Sequence, residues 1–269
     1  MPDIRLVATD LDGTLVYDSH CIPERCRAAI AEARARGVHV CLATGRMHHS
    51  AEDFARDLGL LGEPVISYNG AMVRVAGTGE TLWHERVPTA LAQRIVQQAA
   101  AEGRLIHYYV DDVMYVTRVS KGALIYEQRT GSRPVPVGDV RRLTDQAPTK
   151  ILLVDEPEAI GELLRRDQAA YGDEVYVTRS LPEYVEYLSP RATKGAALRV
   201  VREHFGLARE QVLACGDMLN DIPLLQEAGV AVAMAHAPEE VRAVADYVTA
   251  PGLEGVAEAI EKYVLGPAA

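Results

Sequence analysis

The sequence is short of several things, and each shortage excludes a class of protein. Its 269 residues hold no apolar run near the ~20 needed to cross a bilayer, so no membrane span is expected. Four cysteines (Cys21, Cys26, Cys41, Cys215) are too few for a disulfide scaffold in a chain of this length. No CxxC pair and no Cys/His spacing of a zinc site occurs. Cys41 and Cys215 sit in apolar, strand-like runs and read as small buried hydrophobes. His48 and His49 read as solvated helix residues rather than ligands. Positive charge is scarce too: 28 Lys plus Arg against 38 Asp plus Glu leave a net charge of -10. A chain so acidic lacks the basic footprint that nucleic acid or an anionic membrane requires. Small anionic substrates stay open, because they feel a local field rather than the net charge. The opening MPDIRLVATD is too short and too acidic for a secretory signal, so a cytoplasmic location is expected. There is no internal repeat and no low-complexity tract.

What is present is the composition of a globular enzyme, 48% apolar and 25% charged, with material for one large or two moderate domains. The flanks alternate strand-like and helical patterns. IRLVATD reads as a buried strand, Pro23 to Arg36 as a helix closed by Gly37, VHVCLAT as a second strand, and residues 48–58 as an amphipathic helix. EPVISYNGA reads as a third strand ending at the Asn69-Gly70 turn. After residue 190 the alternation resumes, from a helix near Thr193 through VLACGD, NDIPLLQEAG, VAVAM, PEEVRAVA and DYVT to LEGVAEAIEKYVL. Such alternation implies right-handed βαβ units, hence an α/β, Rossmann-like, doubly wound parallel sheet.

The middle differs. Its order is α-β-β-α-β-α-β-β, it contains most of the tyrosines, and Asp111-Asp112 joins two of its strands. A helix over about Val119–Thr130 precedes the Pro-punctuated stretch SRPVPVGD. This is the pattern of a separate α+β module inserted at hinges near Val87-Pro88 and Ser189-Pro190. The expected domains are therefore 1–86 with 190–269 as the core, and 87–189 as the insert.

Four polar clusters fall where core strands end. Asp10 and Asp12 in DLDGTL close the first strand, and Thr44-Gly45-Arg46 closes the second. Lys194 opens a helix just after the insert, and Asp217, Asn220 and Asp221 lie in GDMLND after another strand. In an open parallel sheet, ligands bind beyond the carboxyl ends of the strands. Each cluster alone has a structural reading: an Asx turn, a tight turn, a surface lysine, a helix cap. Asn69 likewise reads as either a pocket residue or a turn residue. Four such clusters on one sheet edge favour a site.

In this order, DLDGTL, ATGR, a lone Lys opening a helix, and GDMLND resemble the haloacid dehalogenase superfamily of phosphohydrolases. The insert between the second and third clusters resembles the type IIB cap of the Cof-like subfamily. SYNGA (67–71), the ATKG step, VAMAHA (232–237) and the YVT…EGVAEAI stretch (247–260) extend the match over essentially the whole chain. One departure is His236, where the subfamily usually shows Asn.

The resemblance implies a Mg²⁺-dependent phosphatase of small phosphorylated metabolites. Asp10 would be the nucleophile, forming an aspartyl-phosphate, and Asp12 the general acid and then base. The metal donors would be the Asp10 carboxylate, the Asp12 main-chain carbonyl and Asp217, with Asp221 and Asn220 acting largely from behind them, Asp221 through water. Thr44, the Gly45 amide and Lys194 would hold phosphoryl oxygens. Arg46 would reach the substrate or pair with a core acid, and Asn69 and Asn220 are further substrate candidates. In the cap, Arg118, Arg129, Arg179 and the tyrosines are candidates for reading the leaving group. Asp12 argues against a dehalogenase. The roughly thirty residues between the first two clusters leave no room for the helical cap of phosphoglucomutase-like enzymes. A phosphomannomutase-like phosphotransferase remains an alternative, as does a non-catalytic phospho-ligand-binding protein. Sugar phosphates, pyridoxal phosphate, flavin mononucleotide and a flavin precursor all fit, and the oligomeric state stays open.

Overall fold

The structure, a computed structural model, describes residues 2–17 and 21–266. The chain forms two compact units, Met1–Trp83 with Thr193–Ala269, and His84–Ala192.

The first unit is built on β1 (Leu6–Thr9), α1 (Glu24–Ala35), β2 (His39–Ala43), α2 (His48–Asp57), β3 (Pro64–Ser67), β4 (Met72–Val75) and β5 (Thr81–His84), the last reaching the boundary. The second unit holds α3 (Thr89–Ala101), β6 (Leu105–Val110), β7 (Val113–Val116), α4 (Lys121–Thr130), β8 (Pro134–Pro136), β9 (Lys150–Val154), α5 (Pro157–Tyr171), β10 (Tyr176–Leu181) and β11 (Tyr184–Leu188). The first unit is completed by α6 (Lys194–His204), β12 (Val212–Gly216), α7 (Ile222–Glu227), β13 (Val230–Ala233), α8 (Glu239–Arg242), β14 (Tyr247–Val248) and α9 (Gly255–Ile260).

The sheet of the first unit has the order β14-β13-β12-β1-β2-β3-β4-β5. β14 through β3 pair in parallel, and β4 turns back antiparallel on β3. Side chains alternate faces along a strand, and the two cores follow that alternation. Val7, Val40, Leu42, Leu213 and Cys215 pack with α1, α2 and α9. Leu6, Ala8, Cys41, Ala43 and Ala214 pack with α6 and α7. Every β1 side chain is buried, so near-continuous apolar runs with helices on both faces give the doubly wound α/β core. The chain fills one side of β1 first and the other side after the insert. The carboxyl end of β1 therefore lies at the switch point where a crevice opens.

The second unit carries a six-stranded sheet of order β10-β11-β9-β6-β7-β8, antiparallel except for β7 with β8. One face packs Ile106, Tyr108, Ile151, Val185 and Tyr187 against α3 and α5.

Several local expectations need correction. SRPVPVGD holds a strand that the expected element order lacks: Pro134–Pro136 forms β8, an edge strand, where a missing proline N–H is tolerated. The third strand stops at Ser67, because Tyr68 and Asn69 take left-handed backbone angles (φ 52° and 56°) and begin a hairpin into β4. The helix expected from Val119 starts at Lys121, since the Ser120 hydroxyl accepts from the Ala123 N–H and caps it. His48 is not solvated; it is 2% exposed at the start of α2. No helix among the described residues is long and apolar enough to cross a membrane.

Candidate active site

The loop after β1 is built around one carboxylate approach. Asp10, the first residue past the strand, is buried and donates its N–H to the Cys215 carbonyl (3.0 Å), which ties the ends of β1 and β12 together. Gly13 has φ 91°, and a Cβ there would lie 2.5 Å from Asp217 Oδ2. Only glycine allows both that backbone angle and the close packing of the acid. Thr14, fully buried, donates its hydroxyl to Asp217 Oδ1 (2.7 Å). The DLDGT run thus supplies Asp10 and also shapes the seat of an acid 203 positions away.

The end of β2 is pinned in the same manner. Thr44 is buried, and its hydroxyl accepts from the Arg46 N–H (3.1 Å). The Thr44 and Arg46 carbonyls accept from Asn69 and Tyr68. Asn69 in turn accepts from the Asn220 side chain (3.0 Å), so these two substrate candidates are bonded to each other. Gly70 (φ 97°) lies so near the Thr193 carbonyl that a Cβ would overlap it. This close approach sets the 68–70 turn against the first turn of α6. There the Thr193 hydroxyl accepts from the Ala196 N–H (3.1 Å), capping the helix that carries Lys194.

Lys194 is 1% exposed, and its ammonium donates to Asp10 Oδ1 and to Asp221 Oδ1, each at 2.6 Å. The other oxygen of Asp221 accepts from the Asp217 and Met218 N–H groups, both at 3.0 Å. Asp221 is therefore engaged on both oxygens, shaping the loop and aiming Lys194. Asp217 faces Thr14 on one oxygen and His236 Nε2 on the other (3.2 Å). Arg46 makes a fork on Asp12: Nε donates to Oδ2 (2.8 Å) and Nη2 to Oδ1 (2.5 Å).

Asp10, Asp217 and Asp221 each offer an oxygen, and these atoms all lie within 4.8 Å of one another. All three acids are buried beside a single buried lysine. Burial pushes the Asp10 carboxyl well above its usual value; Lys194 works against this, and Asp221, Asp217 and Asp12 add to it. Burial likewise raises Asp217, opposed by the Thr14 and His236 hydrogen bonds. Lys194 is raised: burial works against its charge, and Asp10 and Asp221 outweigh it. An all-oxygen donor set with more carboxylate than ammonium charge suits a hard divalent cation. The residues present fit such an ion.

The structure thus gathers Asp10, Asp12, Thr44, Gly45, Arg46, Asn69, Lys194, Asp217, Asn220 and Asp221 onto the loops at the carboxyl ends of β1, β2, β3 and β12 or onto α6. Arg118, Arg129 and Arg179 lie exposed on the second unit. The sequence pattern assigned no role to Thr14, although the threonine of DLDGT was its signal. Nothing in sequence signalled the Asn69–Asn220 bond.

Carboxylates and a lysine at the switch point of a doubly wound α/β sheet form a site of the kind that phosphoryl-transfer enzymes use. A family model of haloacid dehalogenase-like hydrolases matches residues 7–260, and the chain belongs to that family. It is 30% identical over 266 residues to the 5-amino-6-(5-phospho-D-ribitylamino)uracil phosphatase YcsE of Bacillus subtilis, covering 98% of this chain and 97% of that one. It is 29% identical to the HMP-PP phosphatase of Shigella flexneri, over 89% and 87% of the two chains. Its structure resembles that of TM0651 from Thermotoga maritima, with a TM-score of 0.84, 31% identity, and coverage of 98% and 100%.

Proposed function

We propose that the chain is a Mg²⁺-dependent phosphatase that hydrolyses small phosphate monoesters through an aspartyl-phosphate on Asp10. The chain belongs to a hydrolase family and its relatives are named phosphatases, which makes it an enzyme, a phosphoric monoester hydrolase acting on small phosphorylated metabolites. The observation that carries the finer reading is Lys194, buried and bonded to Asp10 and Asp221 beside Asp217.

An Asp10 oxygen forms a bond to phosphorus while the ester P–O bond breaks, and the departing oxygen takes a proton from the Asp12 carboxyl. Water then bonds to phosphorus, the acyl-phosphate P–O bond breaks, and Asp12 takes the proton from the water. The products are the alcohol and inorganic phosphate, with both acids restored. Lys194, Thr44 and the Gly45 amide hold the phosphoryl oxygens where charge develops. Lys194 also offsets repulsion between Asp10 and the incoming dianion. Asp10, Asp217 and the Asp12 carbonyl would hold Mg²⁺, with Asp221 acting through water and through its hold on Lys194. When bound, the ion neutralises charge on the transferring group.

The second unit corresponds to a type IIB cap, expected over 87–189, and we assign substrate specificity to it. Sugar phosphates, pyridoxal phosphate and flavin-type phosphates are the substrate classes, and one relative, the 5-amino-6-(5-phospho-D-ribitylamino)uracil phosphatase, favours the last group. A panel of such esters, with Mg²⁺ and with EDTA, tests the reading by phosphate release and kcat/KM. Release with Mg²⁺ that EDTA abolishes is expected. An isomer formed only with a bisphosphate activator would make the chain a mutase, and no turnover across the panel would remove the enzymatic reading.

A further inference from the structure

Arg46 is held more firmly than the residue it holds. Its backbone N–H donates to Thr44 Oγ1 (3.1 Å), and its carbonyl accepts from Tyr68 (2.9 Å). Its guanidinium lies 4.9 Å from the centre of the Phe54 ring on α2, a cation–π placement. The Arg46 side chain is 9% exposed, whereas that of Asp12 is 55% exposed. Two guanidinium nitrogens are spent on Asp12, and Nη1 is buried with no hydrogen-bond partner. Burying an unmet donor costs more than a half-exposed ion pair returns, so stability alone does not account for this arrangement.

We infer that Arg46 is the positioning residue of Asp12, a fixed fork that sets the place and plane of the acid–base carboxyl rather than a contact to the substrate. The inference rests on the acid–base reading of Asp12 given above. With both oxygens accepting from the fork, neither can at that moment carry a proton toward a leaving group. The acid step therefore requires one Asp12 oxygen to turn off the fork, and the exposed Asp12 side chain is the half free to turn. Without the fork, Asp12 samples several rotamers and spends less time in reach of the leaving oxygen. The resulting loss scales with how much the leaving group needs a proton.

The leaving group is therefore the probe. Single-turnover phosphorylation of the Mg²⁺-loaded enzyme is compared for dinitrophenyl phosphate, whose leaving group departs without a proton, and for an alkyl sugar phosphate, whose leaving group needs one. In Arg46→Ala the ratio of the aryl to the alkyl rate should rise by roughly 10- to 100-fold, part of the usual general-acid contribution. Arg46→Lys keeps the charge but loses the two-point fork, and it should raise the ratio by an intermediate amount. It also carries the comparison should Arg46→Ala not fold. Equal losses on both esters overturn the inference, because a substrate-binding or merely structural arginine acts on both alike. Asp12→Asn separates the two levels. If it raises the ratio and Arg46→Ala and Arg46→Lys do not, the inference alone fails. If Asp12→Asn leaves the ratio unchanged, the acid reading of Asp12 fails and takes the inference with it.

Discussion

Each unit of the molecule buries a lysine to about 1% exposure, and the two lysines are held differently. Lys194 bonds two carboxylates at 2.6 Å, with a third buried acid, Asp217, alongside. Lys150 faces the Glu186 carboxylate at 3.3 Å and lies over the rings of Tyr109 (5.0 Å) and Tyr126 (5.9 Å). In both, burial works against the ammonium and carboxylate attraction outweighs it, so both are raised. The first cluster has more acid than base and calls for a cation from outside. In the second the ammonium faces one carboxylate beside two tyrosine rings. Excess buried charge is what separates a site from a structural ion pair.

The largest effect expected from this difference is at Asp10. Asp10→Asn removes the nucleophile, and turnover should fall by roughly 10⁴-fold or more. It also removes one buried carboxylate from an overcharged group, so the metal-free variant should melt no lower than the parent. Phosphate release and thermal unfolding of the same preparation check both halves. Retained turnover would remove Asp10 as nucleophile, and a large drop in Tm would mean that the cluster is not overcharged.

In the second unit the sign reverses. Glu186→Gln leaves Lys150 buried without that carboxylate, and such a broken pair costs about 3–5 kcal/mol. Urea unfolding of the second unit should show the loss, with no dependence on Mg²⁺. Replacing both partners together, Lys150→Met with Glu186→Leu, should recover most of it, since apolar residues of similar volume satisfy a dry site. Failure of the double variant to recover would show that the pair does more than balance its own charge.

How far the sequence carried this comparison depends on which residues are involved. Asp10, Asp12, Thr44 and Asp217 were legible because each ends an apolar run, and a run's end in a parallel sheet is a position in space. The Lys150–Glu186 pair was not, because both residues sit inside strand patterns where a charge reads as solvent-facing. Thr14 with Asp217 and Asn69 with Asn220 join residues 203 and 151 positions apart, which no local pattern encodes. The left-handed Tyr68 and Asn69 escaped for another reason. Asn-Gly marks a turn, but it does not tell where the preceding strand lets go. β8 escaped because prolines argue against a strand unless it is known to lie at an edge.

Metal should stabilise one unit and leave the other alone. A ligand at about 100 times its dissociation constant adds about 2.7 kcal/mol to the state that binds it. Mg²⁺ should therefore raise the melting transition of the first unit by several degrees, and EDTA should reverse this. In Asp217→Asn the rise should shrink. An equal rise in the transition of the second unit would erase the distinction between the two clusters.

The smallest effect, taken per pH unit, is a slope in the second unit. His107 is 1% exposed, with its ring near Tyr109 and Tyr126. Burial, with the nearby Lys150 charge, pulls its pKa from 6.5 down to about 3. Between those values the unfolded chain binds a proton that the folded chain does not. Stability is thus full above about pH 6.5 and is lost as pH falls toward 3, at up to roughly 1.4 kcal/mol per pH unit. His107→Gln removes the titrating group and should flatten that part of the profile, measured as Tm of the second unit between neutral and acid pH. A profile as steep in the variant as in the parent would mean that the imidazole does not set the acid limit.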